Sequence, residues 1–91
     1  MAYQIEFTPA ARRQLAKLPT SVRQALGPVI QALADDPRPS QGKLLVNTRN
    51  LWRVKGGDYR VLYRIEEERL VVLVVKVAHR REAYRNLNRL D

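Results

Sequence analysis

Hydrophobic and polar positions change period along the chain, and each change marks an element. Tyr3, Ile5 and Phe7 alternate with Gln4 and Glu6, the period of a strand with one buried face, which predicts a first strand over residues 2–7. Thr8 followed by Pro9 reads as an N-cap with proline at the first helical position, and Ala10 to Lys17 are good helix formers that stop before Pro19. Thr20 or Ser21 is expected to cap a second helix, in which Val22, Leu26, Val29, Ile30 and Leu33 recur on one side until Asp35, Asp36 and Pro37 end it. Residues 36–50 hold prolines, a glycine and small polar residues around Leu44, Leu45 and Val46, the composition of a connector with one packed turn. From Leu51 the pattern turns to strands: Leu51–Lys55, a Gly56-Gly57-Asp58 turn, Tyr59–Ile65, an acidic turn over Glu66–Arg69, and Leu70–Ala78. These make a three-stranded antiparallel meander. Residues 81–91 are polar, with Leu87 and Leu90 three apart, which allows a short C-terminal helix.

The order strand, helix, helix, then three strands predicts an α+β fold with both helices on one face of a twisted sheet. At 91 residues the chain is read as one domain spanning 1–91.

The absence of cysteine removes disulfides, thiolate metal sites and thiol catalysis. The first residues run straight into a strand pattern containing Glu6, unlike a secretion signal, and the apolar run Leu70–Val75 is too short to cross a bilayer as a helix. A cytoplasmic location is expected. Seventeen Lys and Arg against nine Asp and Glu give a formal charge of +8, which makes nucleic acid the leading class of partner. Charge alone is a weak signal, because many solvated faces carry it, so position must decide.

Successive side chains of a strand face opposite sides, and this parity sorts the cations. In the last strand Val71, Leu73, Val75 and Val77 are assigned to the helix side, leaving Leu70, Val72, Val74, Lys76, Ala78 and, just beyond, Arg80 on the other. In the middle strand Tyr59, Val61, Tyr63 and Ile65 suit the core, so Arg60, Leu62 and Arg64 face away. Trp52 and Val54 likewise suit the core and send Arg53 and Lys55 outward. Outward faces usually mix signs, whereas this one gathers Arg53, Lys55, Arg60, Lys76 and Arg80 while Glu66, Glu67 and Glu68 sit at a hairpin tip. Such a concentration of like charge costs stability and is explained if the face meets phosphate, with Arg53, Lys76 and Arg81 as contacts.

Two segments then bring a known family into view. Leu51-Trp52-Arg53-Val54-Lys55-Gly56-Gly57-Asp58-Tyr59-Arg60-Val61-Leu62-Tyr63, followed by Val77-Ala78-His79-Arg80-Arg81-Glu82-Ala83-Tyr84-Arg85, resembles the RelE branch of the RelE/ParE toxin superfamily. The start, Ile5-Glu6-Phe7-Thr8 leading into Leu15-Ala16-Lys17-Leu18-Pro19, is similar to the same family. The resemblance implies a toxin of a type II toxin-antitoxin pair, an endoribonuclease that cuts messenger RNA on the ribosome and stops translation. It further implies a RelB-like antitoxin, whose complex with the toxin binds operator DNA. Carried over by position, Lys55 matches the lysine proposed as general base and Arg60 an arginine that holds the scissile phosphate. Arg80 matches the arginine assigned to charge stabilisation, and Tyr84 a tyrosine that stacks on a base, at a shorter spacing from Arg80 than in some members. Arg53 falls where several members have lysine.

The chemistry this implies is physically sound. RNA cleavage by its own 2′-hydroxyl needs in-line alignment, neutralised phosphate charge and proton traffic at both ends. Arginine stays charged and suits electrostatic stabilisation, whereas lysine must lose its proton to act as a base, a loss that neighbouring cations favour. His79, the only histidine, falls with Val77 on the buried side and is read as structural. It has no ligand-spaced partners, and neither a metal nor another cofactor is expected. Tyr59, Tyr63 and Trp52 are read as core, and Gly56-Gly57 as turn chemistry rather than a phosphate cradle. Two other function classes compete: a non-enzymatic inhibitor of DNA gyrase of the ParE kind, which has no need of the cationic trio, and a simple RNA-binding module, which would show stacking aromatics along the open face.

Overall fold

The computed structural model describes residues 2–46 and 48–87. Its elements run β1 (Gln4–Phe7), α1 (Pro9–Ala16), α2 (Thr20–Ala32), β2 (Lys43–Leu44), β3 (Leu51–Gly56), β4 (Tyr59–Glu66) and β5 (Val71–His79). The strands form one five-stranded sheet in the order β1-β5-β4-β3-β2. The β3-β4-β5 meander is antiparallel, and β1 adds to β5 in parallel by pairing Gln4–Phe7 with Val71–Val74. The fold is α+β.

Helix α1 starts as its sequence requires. The Thr8 Oγ1 accepts from the Ala11 amide at 3.1 Å and Pro9 occupies the first turn, where its missing N–H costs nothing. The start of α2 differs from expectation. Pro19 is its N-cap, no side chain caps the helix, and the Thr20 hydroxyl instead accepts from Arg23. Arg23 also donates to the carbonyls of Ala16 and Leu18, so the α1–α2 corner is closed by a guanidinium. Both helices lie on one face: Ala11 of α1 and Leu26 and Ile30 of α2 share a core with Val54, Val61, Tyr63, Ile65, Val72, Val74 and Val77.

The parity assigned to β5 needs correction. Val72 and Val74 face the helices, whereas Leu73 and Val75 lie on the opposite side; Val77 faces the helices as expected. The cause is a bulge. Tyr63 pairs with Val74 and Leu62 with Lys76, so Val75 is an extra residue that flips the alternation midway. A run of valines and leucine contains no polar position to betray the flip. The connector also holds a strand that its composition hid, since Lys43 and Leu44 pair with Arg53 and Trp52.

The opposite face is not bare. Leu51, Leu62, Val75 and Ala83 form a second, smaller core with Leu45, Leu73, Ala78 and Leu87 around it. The chain therefore turns after β5 and crosses the sheet. Amides of Glu82 and Ala83 donate to the His79 carbonyl, and that of Arg85 to Glu82, so residues 80–86 form successive turns where the short C-terminal helix is expected to begin. Leu90, the other half of the expected C-terminal helical pair, lies outside the described residues.

Candidate active site

Strand register places the cations. Lys55 on β3 pairs with Arg60 on β4, which pairs with Ala78 on β5, so these residues form one row across the sheet. The next row on the same face runs Lys43, Arg53, Leu62, Lys76. Directly paired residues of an antiparallel ladder stand ~5 Å apart at Cβ, so Lys55 and Arg60 are forced close by backbone pairing alone.

The β3–β4 turn sharpens the arrangement. Gly57 has φ +60, a conformation glycine adopts without strain, and a Cβ on Gly56 would clash with the Leu26 Cδ2. The Arg60 Nη1 donates to the carbonyls of Gly57 and Tyr59, both at 3.1 Å, which steers the guanidinium toward the turn while leaving its Nη2 and Nε donors for a ligand. Arg80 is tied to the same turn, because its backbone amide donates to the Asp58 carbonyl at 2.8 Å. Its side chain is exposed, as are those of Lys55 and Arg81. Thus the backbone brings Lys55, Arg60 and Arg80 to one corner, around the β3–β4 turn. Tyr84 is 44% exposed beside the fully buried Ala83, which anchors the crossing segment that carries it.

Charge is sorted along the sheet. The β4–β5 turn consumes the acids: Arg69 pairs with Glu66 and Glu6, and Arg38 with Glu67. The Arg38 guanidinium and the Tyr3 hydroxyl hold the Glu67 carboxyl below its usual range. Among the described residues no ion pair involves Arg53, Lys55, Arg60, Arg80 or Arg81. One end of the sheet is neutralised and the other is left positive.

The remaining candidates take up other duties. Lys76 shares the face, but its ammonium donates to the Glu82 carbonyl at 3.0 Å and the Arg85 carbonyl at 2.7 Å, and burial holds it below the usual lysine range. His79 lies on the helix side, its ring edge-on to Tyr59 with centroids 5.5 Å apart, and its Nδ1 accepts from the Arg81 amide. Tyr63 is fully buried and donates to the Pro37 carbonyl at 2.7 Å. Lys43 escaped the sequence reading because the strand carrying it did. The signal available was only a lysine preceding three apolar residues.

Comparison with known proteins bears on this geometry. A family profile described as "ParE toxin of type II toxin-antitoxin system, parDE" matches residues 5–84. The chain belongs to the RelE/ParE toxin superfamily. The toxin is 34% identical over 86 residues to Toxin RelG of Mycobacterium tuberculosis, covering 93% of this chain and 99% of the relative. It is 29% identical over 82 residues to the mRNA interferase toxin RelE of Escherichia coli, covering 88% and 85%. Its fold matches the RelBE2 toxin-antitoxin complex from Mycobacterium tuberculosis with a TM-score of 0.78 at 33% identity, over 87% of this chain and 99% of that one. The expected family and α+β fold are thus both borne out.

Proposed function

We propose that this toxin is a metal-independent, ribosome-dependent endoribonuclease that acts in the cytoplasm, cleaves messenger RNA and thereby stops translation. The observation that carries this reading is the corner where Lys55, Arg60 and Arg80 gather with no ion pair to an acid among the described residues. A relative named as an mRNA interferase supports it.

In the reaction the 2′-oxygen attacks the adjacent phosphorus, the bond to the leaving 5′-oxygen breaks, and a 2′,3′-cyclic phosphate results. Lys55 takes the proton from the 2′-hydroxyl. Arg60 holds the non-bridging oxygens with the donors left free of the turn carbonyls, and Arg80 neutralises charge as it develops toward the leaving oxygen, which takes up a proton from water as it departs. Tyr84 stacks on a base and fixes the alignment, which a loosely bound strand would lack. Arg53 and Arg81 extend the phosphate track. The ribosome supplies the extended message that so small a protein cannot hold by itself.

The relative found in a RelBE complex supports a RelB-like antitoxin as partner; binding of operator DNA by the resulting complex is part of the same proposal. The family profile's own description favours a second reading, a ParE-like gyrase inhibitor. One experiment separates them. The purified toxin is added to ribosomes programmed with a defined message, and RNA ends are mapped beside a message carrying a 2′-deoxy sugar at the cut position. Cleavage that requires both ribosome and 2′-hydroxyl is expected. Intact message together with gyrase-dependent DNA breaks would establish the ParE-like reading instead.

A further inference from the structure

The segment that carries Arg80, Arg81 and Tyr84 has little of its own to hold it. Past the end of β5 at His79 it forms successive turns, it is largely exposed, and its apolar anchorage on the sheet is Ala83 and Leu87. Turns of this kind leave carbonyls without intrachain partners, and an exposed turn gains little from water-competed hydrogen bonds. Yet Arg80 and Tyr84 need a fixed place if they are to act with Lys55 and Arg60, which sit on rigid strands.

Lys76 supplies what is missing. It stands in the middle of β5, next to the bulge that re-aims this strand, and lines the groove between α1 and the crossing segment together with Gln14, Lys17, Glu82 and Arg85. From there its ammonium reaches two carbonyls of the segment, Glu82 at 3.0 Å and Arg85 at 2.7 Å, which bracket Ala83 and Tyr84. An ammonium has three donors, and two are spent on the protein itself. Partial burial of the amine strengthens bonds that water would otherwise compete for. A lysine meeting phosphate would instead present its ammonium to solvent, as Lys55 does.

We propose that Lys76 is a positioning residue rather than a phosphate contact: by bonding the Glu82 and Arg85 carbonyls it latches residues 80–87 across the sheet and fixes Arg80 and Tyr84 beside Lys55 and Arg60. The consequence for cleavage rests on the nuclease reading above, whereas the latch itself does not.

The test compares the wild-type toxin with Lys76→Met, which keeps the stem and removes the donors, and with Lys76→Arg, which keeps the charge. Amide hydrogen exchange is followed at Glu82, Ala83 and Arg85, whose bonds lie inside the latched turns, and at the β4–β5 ladder as control. Lys76→Met is expected to lower protection of the three turn amides about tenfold or more and leave the ladder unchanged, with Lys76→Arg restoring most of it. On programmed ribosomes, Lys76→Met should slow the cleavage step about ten- to a hundredfold at saturating toxin, with little change in apparent affinity or its salt dependence. Added to the double variant Arg80→Ala/Tyr84→Ala, which already lacks both groups the latch places, it should cost little more.

Unchanged protection of the turn amides in Lys76→Met would overturn the latch. Lost protection with a wild-type cleavage rate would overturn the positioning role, as would a loss confined to affinity that is largest at low salt and shrinks as salt is added, the mark of a phosphate contact. A wild-type toxin that cuts nothing would count against the nuclease reading, not the latch. If Lys76→Met does not fold, Lys76→Gln keeps a donor without charge and is expected to fall between the two.

Discussion

Lys55 and Arg60 stand directly opposite each other on neighbouring strands, two like charges held in one backbone pair. Paired cations of this kind repel, and no acid among the described residues neutralises either of them. Replacing one should therefore relieve repulsion while damaging catalysis. Lys55→Met is expected to melt no lower than wild type, and slightly higher at low salt, whereas in Arg60→Ala the relief is offset by loss of the bonds to the Gly57 and Tyr59 carbonyls and the melting point should change little. Cleavage on ribosomes should fall by a factor corresponding to about 2–4 kcal/mol of transition-state stabilisation in Arg60→Ala. Near-normal cleavage by Arg60→Ala and Arg80→Ala would remove the proposed site.

The two roles open to Lys55 separate in a single substitution. Lys55→Arg preserves the charge but gives a group that does not readily surrender a proton. If Lys55 is the base, cleavage by this variant should be nearly as slow as by Lys55→Met; if it only neutralises phosphate, the rate should stay close to wild type. Single-turnover rates of message cleavage decide between the two.

Tyr84 tests the substrate side. Its ring is 44% exposed, so neither Tyr84→Phe nor Tyr84→Ala should cost much stability. Stacking needs the ring and not the hydroxyl, so Tyr84→Phe should be mild while Tyr84→Ala loses about 1–3 kcal/mol of interaction with the base. An equal loss in both variants would assign the work to the hydroxyl instead.

Much of this was legible in the sequence because its signals are local. The Thr8-Pro9 helix start and the Gly57 turn follow from residue chemistry, and Arg53, Lys55 and Arg60 could be placed on one face because β3 and β4 alternate cleanly. His79 was correctly set with Val77 on the helix side, its ring against Tyr59. What stayed hidden is what alternation cannot report. The extra residue Val75 changes the facing of β5 within an unbroken apolar run, so the assignments of Val72, Val74, Leu73 and Val75 were reversed. Pairing of Lys43 and Leu44 with β3 is a long-range event with no local pattern, and the use of the Lys76 ammonium depends on where a later segment folds back.

Glu67 and Tyr63 also predict how stability responds to pH. At the acid side, Arg38 and Tyr3 hold the Glu67 carboxyl below its usual range, so its pairing stabilises the fold above the unfolded-chain value and is lost as pH falls through the lower folded value. Glu67→Gln should therefore flatten the acid limb of the stability profile. The Arg38 and Glu67 side chains keep 48% and 53% of their surface exposed, so added salt should have a similar effect.

At the alkaline side the relevant group is Tyr63, whose phenol is pushed up to about 12 by burial against the core, with Asp36 adding to the effect. A raised value means that the protonated phenol is favoured by folding. Its contribution is complete below the ordinary tyrosine value near 10.0 and is lost as pH rises from there through about 12, because the unfolded chain ionises first. The hydroxyl is also the donor to the Pro37 carbonyl, so it ties β4 to the connector that follows α2. Tyr63→Phe removes both effects at once. It should cost about 1–3 kcal/mol near neutral pH, where a buried carbonyl is left without its donor. The same variant should lose stability less steeply than wild type between pH 10 and 12, so that the two denaturation midpoints converge at high pH. Urea titrations across that range, with phenolate absorbance followed in parallel, check both parts. A wild-type profile in which every tyrosine ionises together near pH 10, with no penalty from Tyr63→Phe at neutrality, would show that this hydroxyl neither resists ionisation nor holds the connector.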